Sequence, residues 1–134
     1  MAVFIETENE AYYAIIIDKV EIKDGEYKQF YDNGNLKILC YYSNNKLNGH
    51  YILYNYDKTI NKCSFYINDI LEGEEIQFYE HFGKRPMRKS FYTNGKLDGK
   101  TELYNDDGKL EWTMVYDNGN IKLPYKKHKQ CTIL

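Results

Sequence analysis

The feature that most constrains this chain is a fixed period. Gly25, Gly49, Gly73 and Gly99 lie 24, 24 and 26 residues apart, and the last three follow a leucine by two positions, at Leu47, Leu71 and Leu97. Self-similarity at a fixed interval means that one supersecondary unit is stacked repeatedly, and this decides the architecture before local propensity is consulted. An aromatic residue stands five positions after each glycine, as Phe30, Tyr54, Phe78 and Tyr104. A tyrosine follows twelve positions later, or fourteen in the third unit, as Tyr42, Tyr66, Tyr92 and Tyr116. The merged series sets an aromatic every 12 residues, interrupted by two extra residues in the stretch Glu80 to Met87, so each 24-residue unit is two structural steps.

Twelve residues hold one strand of about six residues and a turn. Turn chemistry falls where that reading needs it, at Asp32-Asn33-Gly34, Asn44-Asn45, Thr93-Asn94-Gly95, Asp107-Gly108 and Asn118-Gly119. Asn-Gly and Asp-Gly supply the positive φ angles of tight hairpins. Between turns, Leu110 to Tyr116 places Leu110, Trp112, Met114 and Tyr116 on one face and Glu111 and Thr113 on the other, the alternation of a half-buried strand. No window carries apolar residues at helical spacing with caps. The chain is therefore expected to be all-β, an elongated single-sheet antiparallel meander of repeated β-hairpins, with residues 1–24 as capping strands, 25–123 as four hairpin repeats and 124–134 as a basic tail. Pro124 is expected to end the ladder, since proline cannot donate to it.

Composition supports this: of 134 residues, fifteen are tyrosine and six phenylalanine, and aromatic enrichment favours strands. The formal charge of −2 leaves no basic face able to neutralise several phosphates, so no nucleic-acid partner is expected. Cys40, Cys63 and Cys131 are odd in number and lack Cys-x-x-Cys spacing, which argues against a disulfide framework and for a reducing compartment. No stretch reads as a signal peptide, and the apolar run Ala14 to Ile17 is too short to span a bilayer.

Gly-x-x-x-x-aromatic, an Asn-Gly turn before Leu or Ile, a strand ending in Phe-Tyr or Tyr-Tyr, and Lys-Leu-Asn/Asp-Gly together resemble the MORN-repeat variant family. The best matches are Tyr41 to Gly49 and Phe91 to Gly99. The resemblance covers about four units and implies twisted sheets of successive hairpins, with roles in membrane apposition, scaffolding, dimerisation or, in bacteria, antitoxin-like masking. It implies a binding module rather than a reaction. The sequence departs from the pattern at Lys58, where units one and four carry Gly34 and Gly108, and in the Glu80 to Met87 loop. Choline-binding hairpin repeats stack similarly but box their cation with several tryptophans, and this chain has Trp112 alone.

No catalytic or metal site is expected, and no cofactor. His50, His81 and His128 are scattered without ligand spacing. Glu74-Glu75 would point to opposite faces of a strand, and Asp107 sits in a turn. The columns of Phe30, Tyr42, Tyr54, Tyr66, Phe78, Tyr92, Tyr104 and Tyr116, with Trp112, have two readings that stay open: a structural ladder of cross-strand aromatic pairs, or a groove for a protein partner.

The C-terminal Cys131-Thr132-Ile133-Leu134 reads as a C-a-a-X prenylation signal, with Lys126, Lys127 and Lys129 as the basic second signal that stable anchoring needs. The expected function is a non-enzymatic protein-binding or scaffolding module in the cytoplasm, tethered through Cys131 to the cytosolic face of a eukaryotic host membrane. The alternative is a soluble, antitoxin-like module that masks a protein partner. Self-association as a homodimer is a further expectation, because a thin sheet leaves apolar surface and strand edges open.

Overall fold

The computed structural model describes residues 1–81 and 84–129. Among these the chain has no helix and is 70% strand, in one open antiparallel sheet. The strands follow one another in chain order: β1 (Ala2–Glu6), β2 (Glu10–Ile17), β3 (Val20–Phe30), β4 (Leu36–Ser43), β5 (Lys46–Tyr54), β6 (Ile60–Ile67), β7 (Ile70–Leu71), β8 (Gly73–Phe78), β9 (Pro86–Thr93), β10 (Lys96–Leu97), β11 (Gly99–Tyr104), β12 (Leu110–Asp117) and β13 (Asn120–Lys127). β7 and β8 form one run broken at Glu72, and β10 and β11 one run broken at Asp98. The all-β single-sheet meander read from the period is the fold observed.

Two kinds of turn alternate along the sheet. On one side lie two-residue turns, Asp18-Lys19, Asn44-Asn45, Asn68-Asp69, Asn94-Gly95 and Asn118-Gly119, whose central φ angles all fall between 48° and 88°. Such turns match the twist of the strands they join. On the other side, longer turns close on a single left-handed residue: Gly34 at φ 83°, Lys58 at 72° and Gly108 at 83°. Each donates its backbone N–H three residues back, to Tyr31 (2.9 Å), Asn55 (3.0 Å) and Asn105 (2.9 Å). Lys58 thus takes the glycine conformation, and the second unit keeps the turn. In the longer loop of the third unit Tyr79 N–H still reaches the Arg85 carbonyl at 3.0 Å.

The Leu-x-Gly signature has two structural causes. First, it makes a bulge. Cys40 pairs with Tyr51 and Tyr42 with Leu47, so Tyr41 alone faces residues 48–50, and Gly49 at φ 128° relieves the crowding. A Cβ on Gly49 would stand 3.4 Å from the Tyr41 Cβ, and one on Gly25 3.1 Å from the Tyr13 Cβ. Second, it receives the turn of the next hairpin. The Leu47, Leu71 and Leu97 carbonyls accept from the amides of Asp69 (2.9 Å), Gly95 (2.9 Å) and Gly119 (2.7 Å). The side chains just before three of the repeat glycines, Asp24, Glu72 and Asp98, accept from the amides of Asn44 (3.1 Å), Asn94 (2.8 Å) and Asn118 (3.4 Å). Neighbouring units are thereby stitched at the turns as well as along the strands.

Pro124 does not end the ladder. β13 runs through it, with Lys126 paired to Thr113 and Lys127 to Trp112. Residues 123–125 bulge opposite Met114 on an edge strand, where a missing N–H interrupts no ladder bond. Among the described residues the sheet has no second layer. It exposes 8985 Å², against about 7,400 Å² for a compact monomer of its mass.

Candidate interaction surface

Cross-strand pairing assigns every strand residue to one of two faces. On the first face a buried column crosses the sheet: Tyr12 pairs with Tyr27, Tyr27 with Cys40, Cys40 with Tyr51 and Tyr51 with Ser64, then Glu75 with Ser90 and Thr101 with Met114. The N-terminal part is the apolar core, in which Tyr12, Ala14, Tyr27 and Cys40 are buried and Val3, Ile5 and Ile38 pack against them. The rings of Tyr27 and Tyr42 meet edge to face with centroids 5.5 Å apart. Lys23 lays its ammonium over Tyr12, Tyr27 and Tyr42 at 5.0, 4.7 and 5.5 Å.

Carboxylates tie down the hydroxyls here. Tyr12 donates to Glu21 at 2.7 Å, and this bond, with burial, pushes its hydroxyl up to about 12. Tyr27 is raised as well, by burial and then by its hydrogen bond to Glu10. Burial pushes the Cys40 thiol up to about 11.

Further along, the column turns polar. Glu75 is 5% exposed, accepts from Ser64 at 2.9 Å and from Arg88 at 3.2 Å, and has the Lys62 ammonium 3.8 Å away. Arg88 also donates to the Tyr92 hydroxyl at 3.1 Å. Thr101 bonds Ser90 at 3.2 Å. No buried side-chain polar atom among the described residues lacks a partner, so this network is a structural one.

The second face is different. The residue before each repeat tyrosine points there, giving Tyr41, Phe65, Phe91 and Val115, continued by Tyr13 and Phe4 toward the first edge. Phe4 is 55% exposed, Tyr13 48%, Tyr41 37%, Phe91 40% and Val115 40%. These side chains form one lane across the sheet. Phe4 stacks on Tyr13 at 5.1 Å, Tyr41 is paired to Glu26, His50 meets Phe65 edge-on at 5.0 Å, Phe91 is paired to Glu74, and Val115 to Lys100 and Lys122. Adjacent strands lie about 4.8 Å apart, so the large side chains recur at about 10 Å. Beside this lane runs a half-buried apolar one, Leu39, Ile52, Cys63 and Ile76, joined by successive pairing. A depression between the lanes is lined by His50, Cys63, Phe65, Glu74 and Ile76.

The aromatic positions singled out by the 12-residue series divide between the faces. Tyr42, Tyr66, Tyr92 and Tyr116 lie on the first, opposite Gly25, Gly49, Gly73 and Gly99, and all four are half-buried. Phe30, Tyr54, Phe78 and Tyr104 stand on the second, by the longer turns, also half-buried. Trp112 is on the first face, with the Lys127 ammonium 5.1 Å over its ring and the Tyr125 ring 5.6 Å away. Missed in the sequence was the lane itself, although its signal was there: Tyr-Tyr or Phe-Tyr doublets lie near the end of the second strand in the first three units, and consecutive strand residues face opposite ways.

The basic segment is split too. Lys126 and Lys127 belong to β13 and are exposed on opposite faces, while Lys129 is exposed beyond it. His128 bonds the Thr113 hydroxyl through Nε2 at 2.8 Å. Cys131 lies outside the described residues. Among those described, no three His, Cys, Asp or Glu gather to hold a metal, and no helix is long and apolar enough to cross a membrane.

A one-layer sheet of stacked hairpins, with a satisfied polar network on one face and a largely exposed aromatic lane on the other, defines a β-hairpin repeat protein. Residues 23–46 match the model of the MORN repeat variant family, so the chain carries a repeat of that family, and the later units share its turns, bulge and columns. The family is typically non-catalytic and suggests a module that binds protein or membrane. No curated protein matches the chain.

Proposed function

We propose that this chain is a non-enzymatic adaptor that docks a protein partner along the second-face lane of Tyr13, Tyr41, Phe65 and Phe91. The observation that carries the reading is that lane: Tyr13, Tyr41 and Phe91 are exposed and Phe65 is half-buried between them, on a face that no second layer covers among the described residues. Glu26, His50, Glu74 and Lys100 alternate with them along the same lane, and polar groups around aromatic anchors are the usual anatomy of a protein interface. A pull-down with the wild-type chain and with Tyr41→Ala/Phe91→Ala tests it. Partners retained equally by both would refute the lane as the docking site.

Supporting a tether at a cytosolic membrane face are the C-a-a-X residues from Cys131 and the exposed Lys126, Lys127 and Lys129. A single lipid chain binds weakly and each lysine at an anionic surface adds about 1 kcal/mol, so both signals are needed. In a eukaryotic cell, membrane flotation of the wild-type chain should be abolished by Cys131→Ser. A wild-type chain of unmodified mass that stays soluble favours instead a soluble masking module of the antitoxin-like kind.

A further inference from the structure

We propose that β1 is the seam of a symmetric dimer, its outer edge pairing antiparallel with β1 of a second copy. The sheet has two ends, and they differ. β13 carries Pro124, the 123–125 bulge and Lys122, Lys126 and Lys127, all of which oppose strand addition. β1, Ala-Val-Phe-Ile-Glu, has neither proline nor lysine, keeps an unbroken register with β2, and among the described residues pairs with nothing else.

The direction of its backbone groups is settled by two hydrogen bonds. The Met1 carbonyl accepts from Ile16 at 3.2 Å, and the Thr7 amide donates to the Glu10 carbonyl at 2.8 Å. Odd-numbered residues therefore bond β2, and Ala2, Phe4 and Glu6 turn their N–H and C=O groups outward. A two-fold axis beside Phe4 sets Phe4 against Phe4 and Ala2 against Glu6 of the other copy. Each is a doubly hydrogen-bonded pair, so every outward group of the strand is met.

The position of the core selects a second copy over an unrelated strand. The buried cluster of Tyr12, Ala14, Tyr27 and Cys40, with Val3 and Ile5 packed on it, sits at the β1 end of the sheet rather than at its middle. Doubling about β1 places the two clusters side by side at the centre, sets Val3 against Ile5 of the second copy, and covers both. On the other face Phe4, stacked on Tyr13, meets its own counterpart, and the exposed lane becomes continuous through both copies. Because β13 is blocked, the contact is isologous and closes at two copies. The seam does not depend on what binds the lane.

Sedimentation equilibrium of the full chain at micromolar concentration should give twice the 16.0 kDa chain mass. Phe4→Pro removes an amide that points away from β2, so it should halve the mass while leaving the strand circular dichroism unchanged. In a Cys63→Ser/Cys131→Ser background, Phe4→Cys should form a disulfide-linked dimer on mild oxidation and Val3→Cys should not. A monomeric wild-type chain would overturn the proposal and leave the edge to an extended segment of another protein. A dimer that survives Phe4→Pro and fails to cross-link at position 4 would overturn it equally, by placing the contact on a sheet face.

Discussion

The Tyr31 hydroxyl donates a 2.7 Å hydrogen bond to the Tyr54 carbonyl, and two units later Tyr79 does the same to Tyr104. The bond joins the foot of one hairpin to that of the next, at backbone positions the ladder leaves open. Tyr31→Phe and Tyr79→Phe should each cost about 1 kcal/mol, the net worth of a partly buried hydrogen bond. The pairs lie in different units, so the double substitution should be additive within about 0.5 kcal/mol in urea titrations.

Lys58→Gly should stabilise the fold by about 1 kcal/mol. Lys58 is held at φ 72° in the place that Gly34 and Gly108 fill elsewhere, and a side chain in that region costs about 1–2 kcal/mol, offset in part by the freedom glycine gains on unfolding. Gly34→Ala should do the reverse. A shift of the urea midpoint in the opposite direction would show that the lysine stem makes contacts that outweigh the backbone.

Removing Arg88 should cost about 3 kcal/mol, since it leaves the buried Glu75 carboxylate with only Ser64 and the more distant Lys62. Glu75→Gln in the same chain should recover most of the loss. A double-mutant cycle with coupling below about 0.5 kcal/mol would show that the pair does not act as a unit.

Alkaline stability should fall between about pH 10 and 12. The Tyr12 and Tyr104 hydroxyls are pushed up to about 12, Tyr12 chiefly by its bond to Glu21 and Tyr104 by burial and then Glu102. A raised folded pKa contributes stability that is whole below the unfolded value near 10, and is lost as pH climbs through the folded one. Tyr12→Phe should flatten the decline in denaturant midpoints over that window. Within the same fold, Cys40 should resist thiol reagents at pH 8 until unfolding, because it is buried and its thiol is raised to about 11.

Period and turn residues were enough to determine the architecture. Twelve residues between turns leave room for a strand and nothing longer, and Asn-Gly or Asn-Asn at the junctions supplies positive φ locally, so strand order and antiparallel sense followed without tertiary information. The same local logic failed at Pro124, because whether a missing N–H matters depends on whether a partner lies on that side, and only the assembled sheet shows that β13 is an edge with a bulge. It failed again for the aromatic series. Spacing by 12 says that Phe30 and Tyr42 recur but not which way they point, since each Leu-x-Gly bulge adds residues to one strand and resets the alternation. The registers that follow from those bulges set Tyr42, Tyr66, Tyr92 and Tyr116 over the glycines on one face and turned Tyr41, Phe65 and Phe91 to the other, where Tyr41 and Phe91 are exposed and Phe65 is half-buried. Burial is set by pairing between strands, and pairing is a property of the folded sheet.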